Sequence, residues 1–495
     1  MNQARTTRGQ SAPDSPKTNP LLEGICLAST EKEIFPLIAR NPFLDAAWRR
    51  QNQDIDLFPA YMAAVVAPTN TALQLGLNIH RALKITLFQK NPTVQQNQTS
   101  YFSTASQPSD PVVIHSSYCG VVLSGLTGLG KSHLLEAALQ SIPQVVYREN
   151  IFGLALIAQI TWIRIDMTSI ASIEALAEQI VRAIDDALKA NGDIFEATLK
   201  GAKSANTKME RALRLLRTHY VGILAVDEIQ ANNFSKSGSA DIRDWFLRIA
   251  NQRISLIFSG NPLGFRLLPP KKNEDEKYAT QQLRRLFATN ELRRNPAESI
   301  NDPEWKKFIQ TVATCHLDGS RDVFNEKNEL LKLQLSGGFE DFYIELHCQL
   351  EKLRVKFPAK EVDDSLINQA AAASTKLRKM KPLISAFTEH DIIKLKQCID
   401  VDYDYYIEKW GKTSSQNVGG QSENDPPVSS FVENNKIVVD PVASAEADRK
   451  SIERKCSKQR EKQSAPCSPL KNSLREHHLD ELETVIINGK PPDGS

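Results

Sequence analysis

The sequence predicts an α/β protein, with a parallel sheet covered by helices and further helical regions before and after it. Three observations carry this. Residues 222–226 and 254–258 are nearly continuous apolar runs, as strands buried on both faces require. Segments of helical period at 173–188, 209–216 and 242–249 separate such runs, and a strand candidate at 160–165 joins them. The first run, 119–123, ends in a glycine-rich turn that opens onto a helix from Lys131 to about residue 140.

The flanking elements follow from periodicity and breakers. Composition makes residues 1–20 disordered, and apolar residues then recur at helical spacing to about residue 90, interrupted at Pro42 and Pro59. A polar stretch at 91–110 reads as a linker. From about 302 to 410 the pattern is helical, with Phe342, Leu346, Leu350 and Leu353 on one face. Beyond Gly411 the chain reads as a flexible tail in which Leu474, Leu479, Leu482, Val485 and Ile486 align on one helical side, a segment suited to a partner's groove. The expected layout is an N-terminal extension at 1–110, an α/β core at 111–300, a helical region at 301–411 and a tail at 412–495.

Composition narrows the function class. The 495 residues suffice for about three domains, and 41% hydrophobic with 24% charged residues is the balance of a soluble globular chain. A net charge of +2, from 61 basic and 59 acidic residues, leaves any DNA contact to a local patch. No apolar run approaches the roughly 20 residues needed to span a bilayer, and the polar first twenty residues lack a signal peptide's apolar core. The seven cysteines form no C-x-x-C pair, which fits reduced thiols. Cys315-His316 and His347-Cys348 lack the further spacing that a closed zinc site needs.

The chemistry concentrates at the predicted strand ends. Gly125, Leu126, Thr127, Gly128, Leu129, Gly130, Lys131 and Ser132 form a complete G-x-x-x-x-G-K-S loop. Its glycines let backbone N–H groups curl around phosphate, and the helix N-terminus behind it favours an anion. Lys131 supplies a full positive charge for the phosphates, and the Ser132 hydroxyl suits Mg²⁺. The run at 222–226 ends in Asp227 and Glu228, placed respectively to hold the metal's shell and to activate water. The next run ends in Ser259-Gly260-Asn261; the Asn261 amide could sense a terminal phosphate, or the segment could be a simple turn. Further on, Arg284 or Arg285 could complete a neighbouring subunit's site, or both could be surface arginines.

In this order GLTGLGKSHLLEAAL, WIRID, LRLLRTHYVGILAVDEIQ, RISLIFSGNP and QQLRRLF resemble the AAA+ regulators of bacterial transposons, the TnsC and TniB proteins, over about residues 112–355. Extensions on both sides of the core look more like the longer TnsC type. The resemblance implies an AAA+ P-loop ATPase core with a helical lid, using ATP and Mg²⁺. It implies a homo-oligomer, ring or filament, that assembles on duplex DNA with ATP bound and is reset by hydrolysis. It further implies a bacterial cytoplasmic, DNA-associated protein without a membrane anchor, which meets a target-selection protein through its N-terminal region and transposase subunits through its tail. Two departures stand out. Leu286 separates Arg285 from Phe287, where the family usually has Arg directly before Phe, and Gly337-Gly338 is followed by FEDFYIEL, without the lid arginine of many AAA+ proteins. Another P-loop signalling or replication-initiator-like ATPase is the alternative, although no clear helix-turn-helix follows residue 353.

Positive charge for a DNA backbone is available at Lys200, Lys203 and Lys208, between predicted helices, where contacts would be non-specific and salt-sensitive. The tail run Arg449, Lys450, Arg454, Lys455, Lys458, Arg460 and Lys462 is a second candidate, and could equally bind an acidic protein patch.

Overall fold

The computed structural model describes residues 19–106, 120–151, 154–170, 172–189, 194–230, 239–265, 290–358, 360–398 and 400–416. Seven strands are seen among them: β1 (Val121–Gly125), β2 (Val145–Ile151), β3 (Leu154–Ile160), β4 (Trp162–Asp166), β5 (Ile223–Ile229), β6 (Ser255–Gly260) and β7 (Glu291–Arg294). Five of these form one sheet in the order β4-β5-β6-β1-β7, every neighbouring pair parallel. All five strands therefore end on the same edge of the sheet, and their tips carry the residues with chemistry.

Strand side chains alternate between two buried faces. Leu123, Ile223, Ala225 and Ile257 share one core with Leu75, Ile79 and Leu83 of helix Asn70–Gln89 and with Leu135 and Ala138 of helix Lys131–Gln140. Val122, Leu224, Val226 and Phe258 face the other way, onto Leu176 and Ile180 of helix Ile173–Leu188, Leu213 and Leu216 of helix Ala205–Thr218, and Phe246 and Ile249 of helix Ser239–Asn251. At about 1.5–3 kcal/mol per buried large aliphatic side chain, this double coverage explains the unbroken apolar runs.

Three local features differ from the sequence reading. The apolar stretch at 160–165 is two elements. Thr161, fully buried with its hydroxyl donating to Pro143 O, separates an antiparallel β2–β3 hairpin from β4. The polar segment read as a linker contains a helix, Gln95–Ser106. Finally, β7 closes one edge of the sheet with four residues that carry no apolar run.

Helices Pro303–Val312, Glu326–Ser336, Glu340–Lys356, Asp364–Ala373, Thr375–Thr388 and Tyr403–Gln416 build the C-terminal part. Phe342, Leu346 and Leu350 are buried there with Phe339, Ile367 and Phe387, while Leu353 is partly covered. Leu126 and Leu129 of the glycine-rich loop belong to this same cluster. The chain beyond residue 416, including its amphipathic and basic segments, lies outside the described residues. Among the described residues no helix is long and apolar enough to cross a membrane.

Candidate functional site

The glycine-rich loop leaves β1 at Gly125 and enters helix Lys131–Gln140 through Gly130, whose φ of +68° is left-handed backbone that favours glycine. No side chain caps this helix N-terminus, so its first amides are left for an anion. Lys131 Nζ folds back onto the Leu126 carbonyl at 2.8 Å. Burial lowers the pKa of this amine, while the carboxylates of Glu228 and Asp227 oppose the shift. A half-buried cation resting on a loop carbonyl is suited to receive a phosphate.

The strand tips bring the other predicted residues to the same place. Asp227 is 1% exposed, and Glu228 after it is exposed, with φ +57°. That backbone is strained for a glutamate and coincides with a register shift between β5 and β6 at Val226/Ile229. The shift turns Glu228 out of the sheet, where its Oε1 is 3.4 Å from Ser132 Oγ. It also brings Ile229 against β6: a Cβ on Gly260 would be 2.2 Å from the Ile229 carbonyl oxygen. Ser132, Asp227 and Glu228, gathered from loop and strand, form an oxygen-rich set that suits magnesium beside a phosphate chain.

Asn261 follows β6 and is 7% exposed. Its Oδ1 accepts from Leu263 N at 2.9 Å and its Nδ2 donates to Asp400 O at 2.6 Å, so the amide shapes the turn and also ties the strand tip to the C-terminal helices.

A cavity of about 420 Å³ opens beside the loop. Its polar side is Thr127, Gly128, Gly130, Lys131, Ser132 and Glu228; its apolar side comes from Met62, Ala63 and Val65 of the N-terminal region and from Phe308 and Ile344 of the C-terminal helices. His133 Nε2 meets Val65 O at 2.8 Å and fixes the N-terminal segment against the loop helix.

Two arginines at this site carry no signal in the motifs. Arg164, in β4, places Nη2 2.7 Å from Asp227 Oδ2. Arg294, the last residue of β7, lines the cavity and pairs with Glu340. Arg164 sits in the middle of β4 and Arg294 ends a strand without an apolar run, so neither stands out in the sequence.

Other candidates lie elsewhere. Lys200 and Lys203 are exposed, between helices Ile194–Leu199 and Ala205–Thr218. Lys208 is engaged by Glu178 at 3.1 Å and Glu174 at 3.7 Å. Arg284 and Arg285 lie outside the described residues. The Cys315-His316 and His347-Cys348 pairs do meet, with the histidine rings 5.1 Å apart, yet His316 binds Glu351 and Asp322. Among the described residues no group of three or more His, Cys, Asp and Glu side chains is arranged to hold a metal.

A match to a known family agrees with this architecture. Residues 115–268 match the family described as AAA domain. No curated protein matches the chain. Among solved structures, the Aeropyrum pernix ORC1 protein in complex with DNA is similar at 15% identity and a TM-score of 0.37, over 74% of this chain and 82% of that one. AMPPCP-bound DnaA from Aquifex aeolicus is similar at 13% identity and a TM-score of 0.27, over 65% and 88% of the two chains. At these values neither similarity bears on what this chain binds. The fold is an AAA+ P-loop core: a five-stranded parallel sheet flanked by helices, with the glycine-rich loop between its first strand and the following helix.

Proposed function

We propose that this protein is an ATP-dependent regulator of DNA transposition that oligomerises on duplex DNA and links target selection to transposase recruitment. The observation that carries the enzymatic part is the convergence of Lys131, Ser132, Asp227 and Glu228 around one uncapped helix N-terminus at the edge of a parallel sheet. The cavity would take ATP with its phosphates on the loop and its base on the apolar side formed by Met62, Val65 and Ile344. Bound magnesium, held by Ser132 and Asp227, would neutralise charge on the phosphate oxygens. Glu228, an exposed carboxylate beside Ser132, takes the proton of the attacking water. Lys131 holds the terminal phosphates, and Asn261 positions the tip of β6 beside them.

The DNA and transposition part rests on the motif order from GLTGLGKS to QQLRRLF described above. In that reading Arg284 or Arg285 completes a neighbour's site, the N-terminal region meets a target selector, and the tail meets transposase subunits. Electron microscopy with duplex DNA and a non-hydrolysable ATP analogue should reveal rings or filaments; a chain that stays monomeric rejects the assembly. ATP turnover should fall at least 100-fold in Glu228→Gln with nucleotide binding retained, and equal rates would favour a scaffold that does not hydrolyse. A peptide of residues 472–490 should retain transposase subunits encoded at the same locus. Its failure to do so, with assembly on DNA intact, would favour an initiator-like or signalling ATPase.

A further inference from the structure

Arg294 and Glu340 occupy the phosphate cradle itself. Gly125 and Arg294 are paired residues of β1 and β7, so the arginine starts beside the first residue of the glycine-rich loop. Its side chain is 7% exposed and reaches forward to the Leu129 carbonyl inside that loop. The same guanidinium holds the Glu340 carboxylate by two bonds, Nη1 to Oε2 at 3.0 Å and a shorter one from Nη2 to Oε1. A Cβ placed on Gly130 would be 3.0 Å from Glu340 Oε2 and 3.4 Å from Arg294 Nη1. A carboxylate therefore lies against the glycine that opens the uncapped helix, where backbone amides favour an anion.

We infer that Arg294 is a phosphate ligand of the nucleotide site and that Glu340 is the internal anion it releases when a nucleotide arrives. The inference rests on the nucleotide-binding reading given above. A guanidinium presents the same planar fork to carboxylate and to phosphate, so the exchange needs little movement of the arginine. Glu340 is the first residue of helix Glu340–Lys356, whose next amide, Asp341 N, donates to Gly128 O at 3.1 Å. Exchanging Glu340 for phosphate therefore removes one of the ties between the loop and this helix and leaves the backbone tie in place. Phosphate occupancy is thereby communicated to the C-terminal helices from within one chain.

The two partners should respond with opposite signs. Titration of the full chain with a fluorescent non-hydrolysable ATP analogue should show at least tenfold weaker binding for Arg294→Ala, and a smaller loss for Arg294→Lys. Glu340→Gln keeps the shape and removes the competing charge, so it should bind severalfold more tightly than the unmodified protein. If Arg294 and Glu340 form only a structural brace, Glu340→Gln weakens binding or leaves it unchanged, and the inference is overturned. Because that arm does not need Arg294→Ala to fold, the test survives an unstable alanine variant. Lys131→Ala in the same titration separates the two levels of the argument. Unchanged binding there defeats the nucleotide reading itself; lost binding there, with Arg294→Ala unaffected, defeats only this inference.

Discussion

Replacing Arg164 by methionine should lower stability and raise affinity for a magnesium-bound nucleotide. In the structure Arg164 Nη2 is 2.7 Å from Asp227 Oδ2, with side-chain exposures of 33% and 1%. The other Asp227 oxygen accepts the Glu228 amide at 2.9 Å. Breaking a fully buried ion pair from one side costs about 3–5 kcal/mol. Water reaches Arg164, so the loss is discounted to about 1–3 kcal/mol. That corresponds to a fall in Tm of roughly 2–10 °C for the core. A metal that uses Asp227 must displace the arginine first, and each 1.4 kcal/mol released from that competition gives about a tenfold gain in affinity. Thermal unfolding with and without saturating Mg²⁺ and a non-hydrolysable ATP analogue, plus a direct titration, tests both signs. The deficit in Tm should close when ligand is present. A deficit that persists at saturation, or weaker binding by the variant, would show that Arg164 supports the metal site rather than competing for its carboxylate.

Gly260→Ala should destabilise the core by about 1–3 kcal/mol and depress turnover, because its Cβ would meet backbone and side chain of Ile229 at 2.2–2.8 Å; urea unfolding and a turnover assay that both match the unmodified protein would contradict this. His316 gives a pH signature. Burial alone would lower its pKa, but the hydrogen bonds and charges of Asp322 and Glu351 raise it to about 9. Stability from this group is complete below the unfolded value of about 6.5 and is lost as pH rises through 9. Melting curves from pH 6.5 to 9.5 should therefore decline in the parent protein and flatten in His316→Gln, whereas parallel curves would remove His316 from the account. For DNA, Lys200→Ala with Lys203→Ala should reduce the salt slope of binding by about one to two units. Lys208→Ala should leave that slope unchanged, because its ammonium is already engaged by Glu174 and Glu178; filter-binding titrations across salt concentrations distinguish the two.

The parts legible in sequence were those whose chemistry demands particular residues in a fixed local order. A loop that cradles phosphate must be written in glycines ahead of Lys131, and a strand buried on both faces must be written as an unbroken apolar run, so β1, β5 and β6 and their tips could be located. What could not be read depends on partners distant in the chain. β7 is Glu-Leu-Arg-Arg, a strand only because β1 offers it an edge. In β4 the burial alternates, so Arg164 reads as an outward-facing residue until its neighbour across the sheet is known to be Asp227's strand. Arg294 was hidden twice, in an unrecognised strand and opposite a glutamate 46 positions away. The Cys-His pairs lack a zinc site's spacing, and what their adjacency does not show is that the fold sets His316 between Asp322 and Glu351.

The residues between the glycines of the loop say something that phosphate binding alone does not. An anion cradle is made by backbone amides, and it places no demand on the side chains at positions 126 and 129. Yet both are leucine, exposed by only 3% and 2%, and both are buried among Phe339, Phe342 and Leu346 of the C-terminal helices. On its other side the cavity is closed by Met62 and Val65, from a region whose long helix Asn70–Gln89 packs directly on the sheet. The loop therefore cannot move onto or off a ligand without disturbing helices from both ends of the chain. Such an arrangement costs a site whose only task is hydrolysis some of its freedom. It suits one whose task is to make ligand occupancy felt at a distance, because packed cores respond to a displaced side chain by rearranging rather than by yielding smoothly. On the proposed reading, occupancy of the site would reach the C-terminal helices through the same leucines that hold the glycine-rich loop in place.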